Sequence, residues 1–144
     1  MRVLIMGLPG AGKTTIGREI CKQGAARRLP VALYNADDIR KAHDDWDFSE
    51  EGRIRQAHRM REAADQMLDA INLCDFVAPL PEMRRIFAPD FTIWVDTIAE
   101  GRYEDTNKAF VPPEHYDLRV VTQKAEIWAE VALDLMERMR NDDV

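Results

Sequence analysis

Cysteine is scarce in this chain: two among 144 residues, Cys21 and Cys74, with neither CxxC nor metal-ligand spacing between them. That argues against a disulfide framework or a thiolate metal site, and leaves two reduced, buried thiols in a cytosolic protein as the expectation. Positive charge is also short. Twenty Lys and Arg against 26 Asp and Glu give a formal net charge of −6, so no global basic field invites nucleic acid or an anionic membrane. A local basic cluster remains open. No apolar run approaches the ~20 residues of a membrane-spanning helix. The N-terminal apolar stretch is short and runs straight into a glycine-rich loop, unlike a signal peptide. Repeats and low-complexity tracts are absent. The expectation is therefore a cytoplasmic protein with no membrane partner, one domain over residues 1–144, long enough to bury a real core.

What is present begins at residue seven. Gly7-Leu8-Pro9-Gly10-Ala11-Gly12-Lys13-Thr14-Thr15 follows the apolar run Val3-Leu4-Ile5-Met6. This is G-x-x-x-x-G-K-[ST] placed between a strand and a helix, as its mechanism requires. The glycines let backbone N–H groups turn inward around phosphate oxygens at the positive end of a helix dipole. Lys13 suits the β- and γ-phosphates, and the Thr14 hydroxyl suits a Mg²⁺ ion whose other ligands are water and phosphate. These nine residues are the expected ATP site, with ATP and Mg²⁺ as cofactors.

Strand and helix signals alternate from there on. Strands are expected at Arg2 to Met6, Pro30 to Tyr34, Asn72 to Ala78, Phe91 to Asp96 and Asp117 to Thr122. Helices are expected from Lys13 to about Gln23, from Glu50 to about Ile71 with Ser49 as N-cap, over Glu82 to Phe87, and from Gln123 to about Arg140. The long middle helix carries Ile54, Ala57, Met60, Ala64, Met67, Leu68 and Ile71 at helical spacing. The last carries Ile127, Val131, Leu135 and Met139. The fold class is α/β, a P-loop fold with a five-stranded parallel sheet flanked by helices on both faces, its ligands at the carboxyl ends of the strands.

A second polar segment falls at such an end: Asn35-Ala36-Asp37-Asp38-Ile39-Arg40. Transfer to a hydroxyl needs a carboxylate to orient or deprotonate it and cations to hold the acceptor. Asp37 suits the first task and Arg40 the second, while Asp38 suits Mg²⁺-bound water. Ordinary helix-start chemistry would place the same residue types there.

Several segments together resemble the adenylylsulfate kinase family, whose members phosphorylate the 3′-hydroxyl of adenosine 5′-phosphosulfate. The family pattern has a GLxGxGKTT-like loop, then D-G-D-N-[IV]-R, G-F-S-x-x-D-R-x-x-N, F-I-S-P, and a Phe-containing segment before Pro-Glu. Here these read GLPGAGKTT, Asn35 to Arg40, Asp47-Phe48-Ser49-Glu50-Glu51-Gly52-Arg53, Phe76-Val77-Ala78-Pro79, and Lys108-Ala109-Phe110-Val111-Pro112-Pro113-Glu114. The resemblance implies Asp37 as the catalytic base. It implies Arg40 and Arg53 on the acceptor nucleotide, Phe48 and Phe110 sandwiching its adenine, and Gln56 and the backbone of Val77, Ala78 and Pro79 as further acceptor contacts. Aromatic faces stack purines and Arg grips phosphate or sulfate oxygens, so the chemistry agrees. Plain core packing is the alternative for the two phenylalanines.

The chain also departs from that pattern. Asn35 stands for the first Asp, Ala36 for Gly, Gln56 for Asn and Ala78 for Ser. The family's R-D-x-K-G-L-Y lid segment is missing, leaving a lid at about 98–115 that is roughly halved. Within it, Arg102 is the candidate for the transferring phosphate and Lys108 for the acceptor. A polynucleotide 5′-hydroxyl kinase-like protein is the alternative, since N-x-D-D-x-R fits Asn35 to Arg40 better; another metabolite kinase, or a nucleotide-binding protein without transfer, also stands. The expected partner is a small-molecule nucleotide. Nucleic acid is disfavoured by the acidic charge, and a homodimer is left open, with Trp128 as core or interface.

Overall fold

A strand that is apolar on both sides must be covered on both sides. In the computed structural model, which describes residues 1–142, β1 (Arg2–Met6) and β3 (Ile71–Asp75) meet that condition: Val3 to Met6 and all of β3 are buried. Positions 143 and 144 of the expected domain lie outside the described residues. With β2 (Val31–Asn35), β4 (Phe91–Val95) and β5 (Leu118–Val120), strands β1 and β3 form one parallel sheet in the order β2-β3-β1-β4-β5. The expected five-stranded α/β architecture is what the chain adopts.

Side chains alternate across this sheet with the period of a strand. Val3, Ile5, Leu73 and Ile93 point to one face, where Ile16 and Ile20 of α1 (Lys13–Ala26) meet Ala129, Ala132, Leu133 and Met136 of α6 (Ala125–Asp142). Leu4, Met6 and Cys74 point to the other. They are covered by Ala57, Met60 and Ala64 of α3 (Glu50–Ala64) and by Met83 and Phe87 of α4 (Pro81–Phe87). Phe76 closes that side edge-on against Phe87, ring centroids 5.5 Å apart. β1 lies between β3 and β4, so its carboxyl end opens onto the crevice where ligands of such sheets collect.

Several boundaries move from the sequence expectation. α1 continues to Ala26. The middle helix stops at Ala64 rather than Ile71, because the Met67 carbonyl accepts from Ala70 N (3.2 Å) and from the Asn72 side chain (2.7 Å), turning the backbone into β3. Met67 and Leu68, which extended the apolar period, are exposed there. β3 ends at Asp75, three residues before the expected Ala78, which sits at φ +47° outside the strand region. β5 is three residues long. On α6 the buried stripe is Ala129, Ala132, Leu133 and Met136, whereas Val131, Leu135 and Met139 only flank it and Ile127 is exposed. The alanines are what lets α6 approach α1. Cys74 is buried, and desolvation raises its thiol to about 12; Cys21 is half-buried rather than buried. Two short helices had no expectation: α2 (Ala36–His43) and α5 (Glu104–Ala109).

Candidate active site

The phosphate loop is fixed by backbone geometry. Gly7 leaves β1 at φ +149°, and a Cβ there would stand 2.4 Å from the Val95 carbonyl oxygen, so only glycine fits the junction. Ala11 N donates to Leu8 O (3.1 Å), and Thr97 Oγ1 donates to Ala11 O (2.6 Å), tying the loop to the end of β4. Lys13 opens α1 with its ammonium folded back on Leu8 O at 3.1 Å. Burial lowers its pKa; the charges of Asp75 and then Asp37 oppose that shift.

Beside it, Asn35 ends β2 and N-caps α2, its Oδ1 accepting from Asp37 N (2.9 Å) and Asp38 N (3.3 Å). Capping places both aspartates in the first turn, where the helix dipole favours negative charge. Arg40, one turn on, is buried. Its guanidinium donates to the Asp45 and Asp47 carbonyls (3.2 and 3.3 Å) and lies 4.3 Å over the Phe48 ring. Arg53, in the first turn of α3, is buried too. It donates to the Phe48 carbonyl (2.8 Å) and to Thr106 Oγ1 of α5 (3.4 Å). Among the described residues neither arginine has a carboxylate within salt-bridge distance, and burial lowers the pKa of both.

The segment after β4 closes over these groups. Asn107 clasps Gly101, accepting from its N–H (2.7 Å) and donating to its carbonyl (3.1 Å). Arg102 and Tyr103 then face the phosphate loop across a cavity of about 760 Å³. That volume is ample for nucleotide-sized ligands.

Residues 1–99 match the model of the adenylylsulphate kinase family. The chain belongs to the adenylylsulphate kinase family. A curated relative, the adenylyl-sulfate kinase of Halothermothrix orenii, is 33% identical over 86 residues, 58% of this chain and 46% of that protein; the chain thus spans less than half of the relative's length. In fold it resembles the Mycobacterium tuberculosis APS kinase CysC, a structure in complex with AMPPNP and APS (TM-score 0.79, 19% identity, 94% of this chain and 97% of that one). It also resembles a gluconokinase from Sinorhizobium meliloti (TM-score 0.65, 14% identity, 98% and 94% covered).

In this adenylylsulphate kinase family member, the cavity is lined by Pro9, Gly10, Gly12, Lys13, Thr14 and Thr15 of the phosphate loop. Asp37, Arg40, Phe48, Arg53, Gln56, Val77, Ala78, Pro79 and Arg102 line it as well. Gly7, Leu8 and Ala11 shape the loop from behind. Three expected residues lie elsewhere. Asp38 is exposed on α2, outside the lining. Lys108 is exposed and pairs with Glu104 at 3.2 Å, one helical turn away. Phe110 packs against the core beneath Arg84, whose guanidinium is 5.6 Å from its ring. Asp96 is paired with Arg119.

Four residues of the site had no role assigned from sequence. Arg84 donates to the carbonyls of Ala78 (2.9 Å), Pro79 (3.2 Å) and Val111, so it braces the Val77-to-Pro79 wall; burial lowers its pKa to about 10. Thr106 is a contact that no local pattern announces. Asp75 accepts from Thr14 Oγ1, and Asn35 donates to it. An acid ending the strand pattern Ile71-Asn72-Leu73-Cys74 is the signal available for Asp75.

Proposed function

We propose that this chain is an ATP-dependent kinase that transfers the γ-phosphate to the 3′-hydroxyl of adenosine 5′-phosphosulfate. The observation that carries the reading is the pair Arg40 and Arg53. Two guanidinium groups are buried on the cavity wall with carbonyl and hydroxyl partners and no ion pair, the charges of Asp45, Asp37 and Asp105 acting only from beyond contact; a buried cation without a paired anion is costly unless a ligand supplies one. A small acceptor with a phosphosulfate tail brings that charge, and bidentate geometry suits its oxygens.

The remaining groups divide the work between donor and acceptor. Backbone N–H groups of Gly10 to Thr14 and the Lys13 ammonium bind the β- and γ-phosphates. Asp37, on the cavity wall, orients the acceptor hydroxyl and takes its proton. Phe48 stacks the acceptor base, and Gln56 and the Val77-to-Pro79 wall bound its edge. Arg102 meets the charge that develops on the transferring phosphoryl group. Among the described residues no cluster of three His, Cys, Asp or Glu is poised to hold a metal. The Thr14 hydroxyl, a hard oxygen donor beside the phosphate cradle, fits Mg²⁺ nonetheless, because that ion keeps water and phosphate as most of its shell. Bound there, Mg²⁺ would neutralise charge on the β- and γ-oxygens. Asp38, exposed outside the cavity, drops out of that role in this reading.

The test is transfer of labelled phosphate from ATP across three acceptors: adenylylsulfate, a 5′-hydroxyl oligonucleotide and nucleosides. Transfer to adenylylsulfate alone supports the reading; efficient transfer to the oligonucleotide and not to adenylylsulfate overturns it. The same reading keeps a cytoplasmic setting, supported by two unpaired thiols and by the absence, among the described residues, of a helix long and apolar enough to cross a membrane. It keeps a homodimer too. Exposed Val121 and Ile127 beside Trp128 supply apolar surface for one, and sedimentation at micromolar concentration checks it.

A further inference from the structure

β2 and β3 run side by side with Asn35 directly opposite Asp75, both at the carboxyl ends of their strands. Asn35 uses both halves of its amide. The oxygen caps α2, while Nδ2 donates to Asp75 Oδ2 (3.1 Å) and to Thr14 Oγ1 (3.3 Å). The Thr14 hydroxyl donates to the same Asp75 oxygen. Asp75 is 2% exposed and has no Lys or Arg within ion-pair distance among the described residues, yet it lines the cavity. Its Oδ1 accepts no hydrogen bond there. A buried carboxylate with two neutral donors on one oxygen and nothing on the other is under-neutralised. By accepting the Thr14 hydroxyl's hydrogen bond, it also turns that oxygen so that the lone pair not engaged by Asn35 is left for a cation.

We propose that Asp75 is the carboxylate through which this chain holds nucleotide-bound Mg²⁺, and that Asn35 is the positioning residue that makes an acid at 75 tolerable. The inference rests on the ATP-binding part of the proposed function and needs no particular acceptor. Where the family pattern D-G-D-N-[IV]-R has an acid, this chain has Asn35. An acid at both positions would set two carboxylates in hydrogen-bond contact, and one would be forced to keep a proton. The strand ends can therefore carry the charge on β2 or on β3, and here it has crossed to β3. An asparagine is the residue that can cap α2 with its oxygen and still donate to the relocated acid.

The experiment measures affinity for a non-hydrolysable ATP analogue with and without Mg²⁺, and the spectroscopic signature of Mn²⁺ in the ternary complex. Mg²⁺ should tighten analogue binding to the unaltered chain. Asp75→Asn should reduce that tightening, and Mn²⁺ affinity, by about 10- to 100-fold, with metal-free analogue binding kept or improved. The exchange Asn35→Asp with Asp75→Asn should recover most of the tightening, whereas Asp38→Asn should leave it unchanged. Full Mg²⁺ tightening in Asp75→Asn, or its loss in Asp38→Asn, overturns the proposal. No tightening in the unaltered chain overturns it as well. Should Asp75→Asn fail to fold, the exchanged variant decides: metal-free binding without any Mg²⁺ response overturns the proposal, and recovery supports it. Adenylylsulfate is absent from the assay, so a chain that responds to Mg²⁺ but fails to phosphorylate it refutes the acceptor and leaves this inference standing.

Discussion

The two sides of the cavity are held in different ways: the phosphate loop by its own backbone, the opposite wall by long side chains reaching across elements. On the donor side the determining contacts are Gly7 against Val95, Ala11 N to Leu8 O and Lys13 to Leu8 O, nearly all within one stretch of nine residues. On the proposed acceptor side, Arg40 spans from α2 to the 45–47 loop, Arg53 joins α3 to α5, and Arg84 joins α4 to residues 78, 79 and 111. A backbone-built site fails when a glycine gains a side chain. A site built of arginines fails by degrees, as each tether is cut.

The sharpest break in that comparison is Gly7→Ala. The added methyl would meet the Val95 carbonyl at 2.4 Å on a backbone already at positive φ, so β1 and the loop must separate. Loss of at least about 3 kcal/mol of stability is expected, together with loss of the thermal stabilisation by ATP that intact protein should show. Unfolding in urea with and without ATP measures both. A variant that still gains stability from ATP would show that the loop is less constrained than the geometry says.

Asp37→Asn acts on the other side and should leave the donor side alone. The asparagine keeps the backbone capping of α2, which comes from Asn35 rather than from Asp37's own side chain. Phosphoryl transfer should fall about 10²- to 10⁴-fold with ATP affinity unchanged, read by steady-state kinetics beside nucleotide titration. Arg53→Lys is milder. It keeps the charge but removes the fork that reaches Phe48 O and Thr106 together, and KM for the acceptor should rise about 10- to 100-fold, the equivalent of one charged hydrogen bond or two. An equal rise in KM for ATP would erase the division between the two sides.

The same division explains what the sequence discloses. The phosphate loop and the alternation of strands and helices are local patterns, and spacing alone locates them. Asp37, Arg40 and Arg53 could be named because they lie within short motifs. Thr106 could not, since it acts on a residue 53 positions away, nor could Arg84, whose bonds go to backbone carbonyls of Ala78, Pro79 and Val111 that no side-chain pattern marks. Phe110 illustrates the converse: its motif is present, but Arg84 and the core hold the ring away from the cavity. The apolar period overruns the end of helix α3 because Met67 and Leu68 keep the spacing by accident, and periodicity does not register a turn made by a backbone carbonyl. Helix α2 leaves no periodic signal for a related reason. Its eight residues carry too few apolar positions for a period, and its start is visible only in the cap at Asn35.

The smallest expected effect concerns acid, and it should touch the acceptor wall first. The 45–47 loop, whose carbonyls hold Arg40, is itself pinned by ion pairs: Asp45 with Arg59 (2.6 Å) and Arg55 (3.1 Å), and Asp47 with Arg55 (2.8 Å). Hydrogen bonds from Arg55, from the Asp47 N–H and from Arg59 hold the Asp45 carboxyl well below the ordinary range. The Ser49 hydroxyl and N–H, with Arg55, lower Asp47 to about 2. Groups depressed on folding contribute stability that is complete above their unfolded pKa, near 4, and that is lost as pH falls toward 2. The urea midpoint should therefore drop between pH 5 and pH 2.5, and less steeply in Asp45→Asn, where one of the two titrations is gone. The Asp47 side chain is 42% exposed and the Asp45 side chain 13%, and their arginine partners reach solvent, so the difference between the two chains should shrink in high salt. The backbone contacts that shape the phosphate loop, Gly7 against Val95 and Ala11 N to Leu8 O, carry no ionisable group, so metal-free affinity for an ATP analogue should fall less than acceptor affinity over that window. If acid weakened both equally, the acceptor wall would not be the separately tethered structure that its arginines imply.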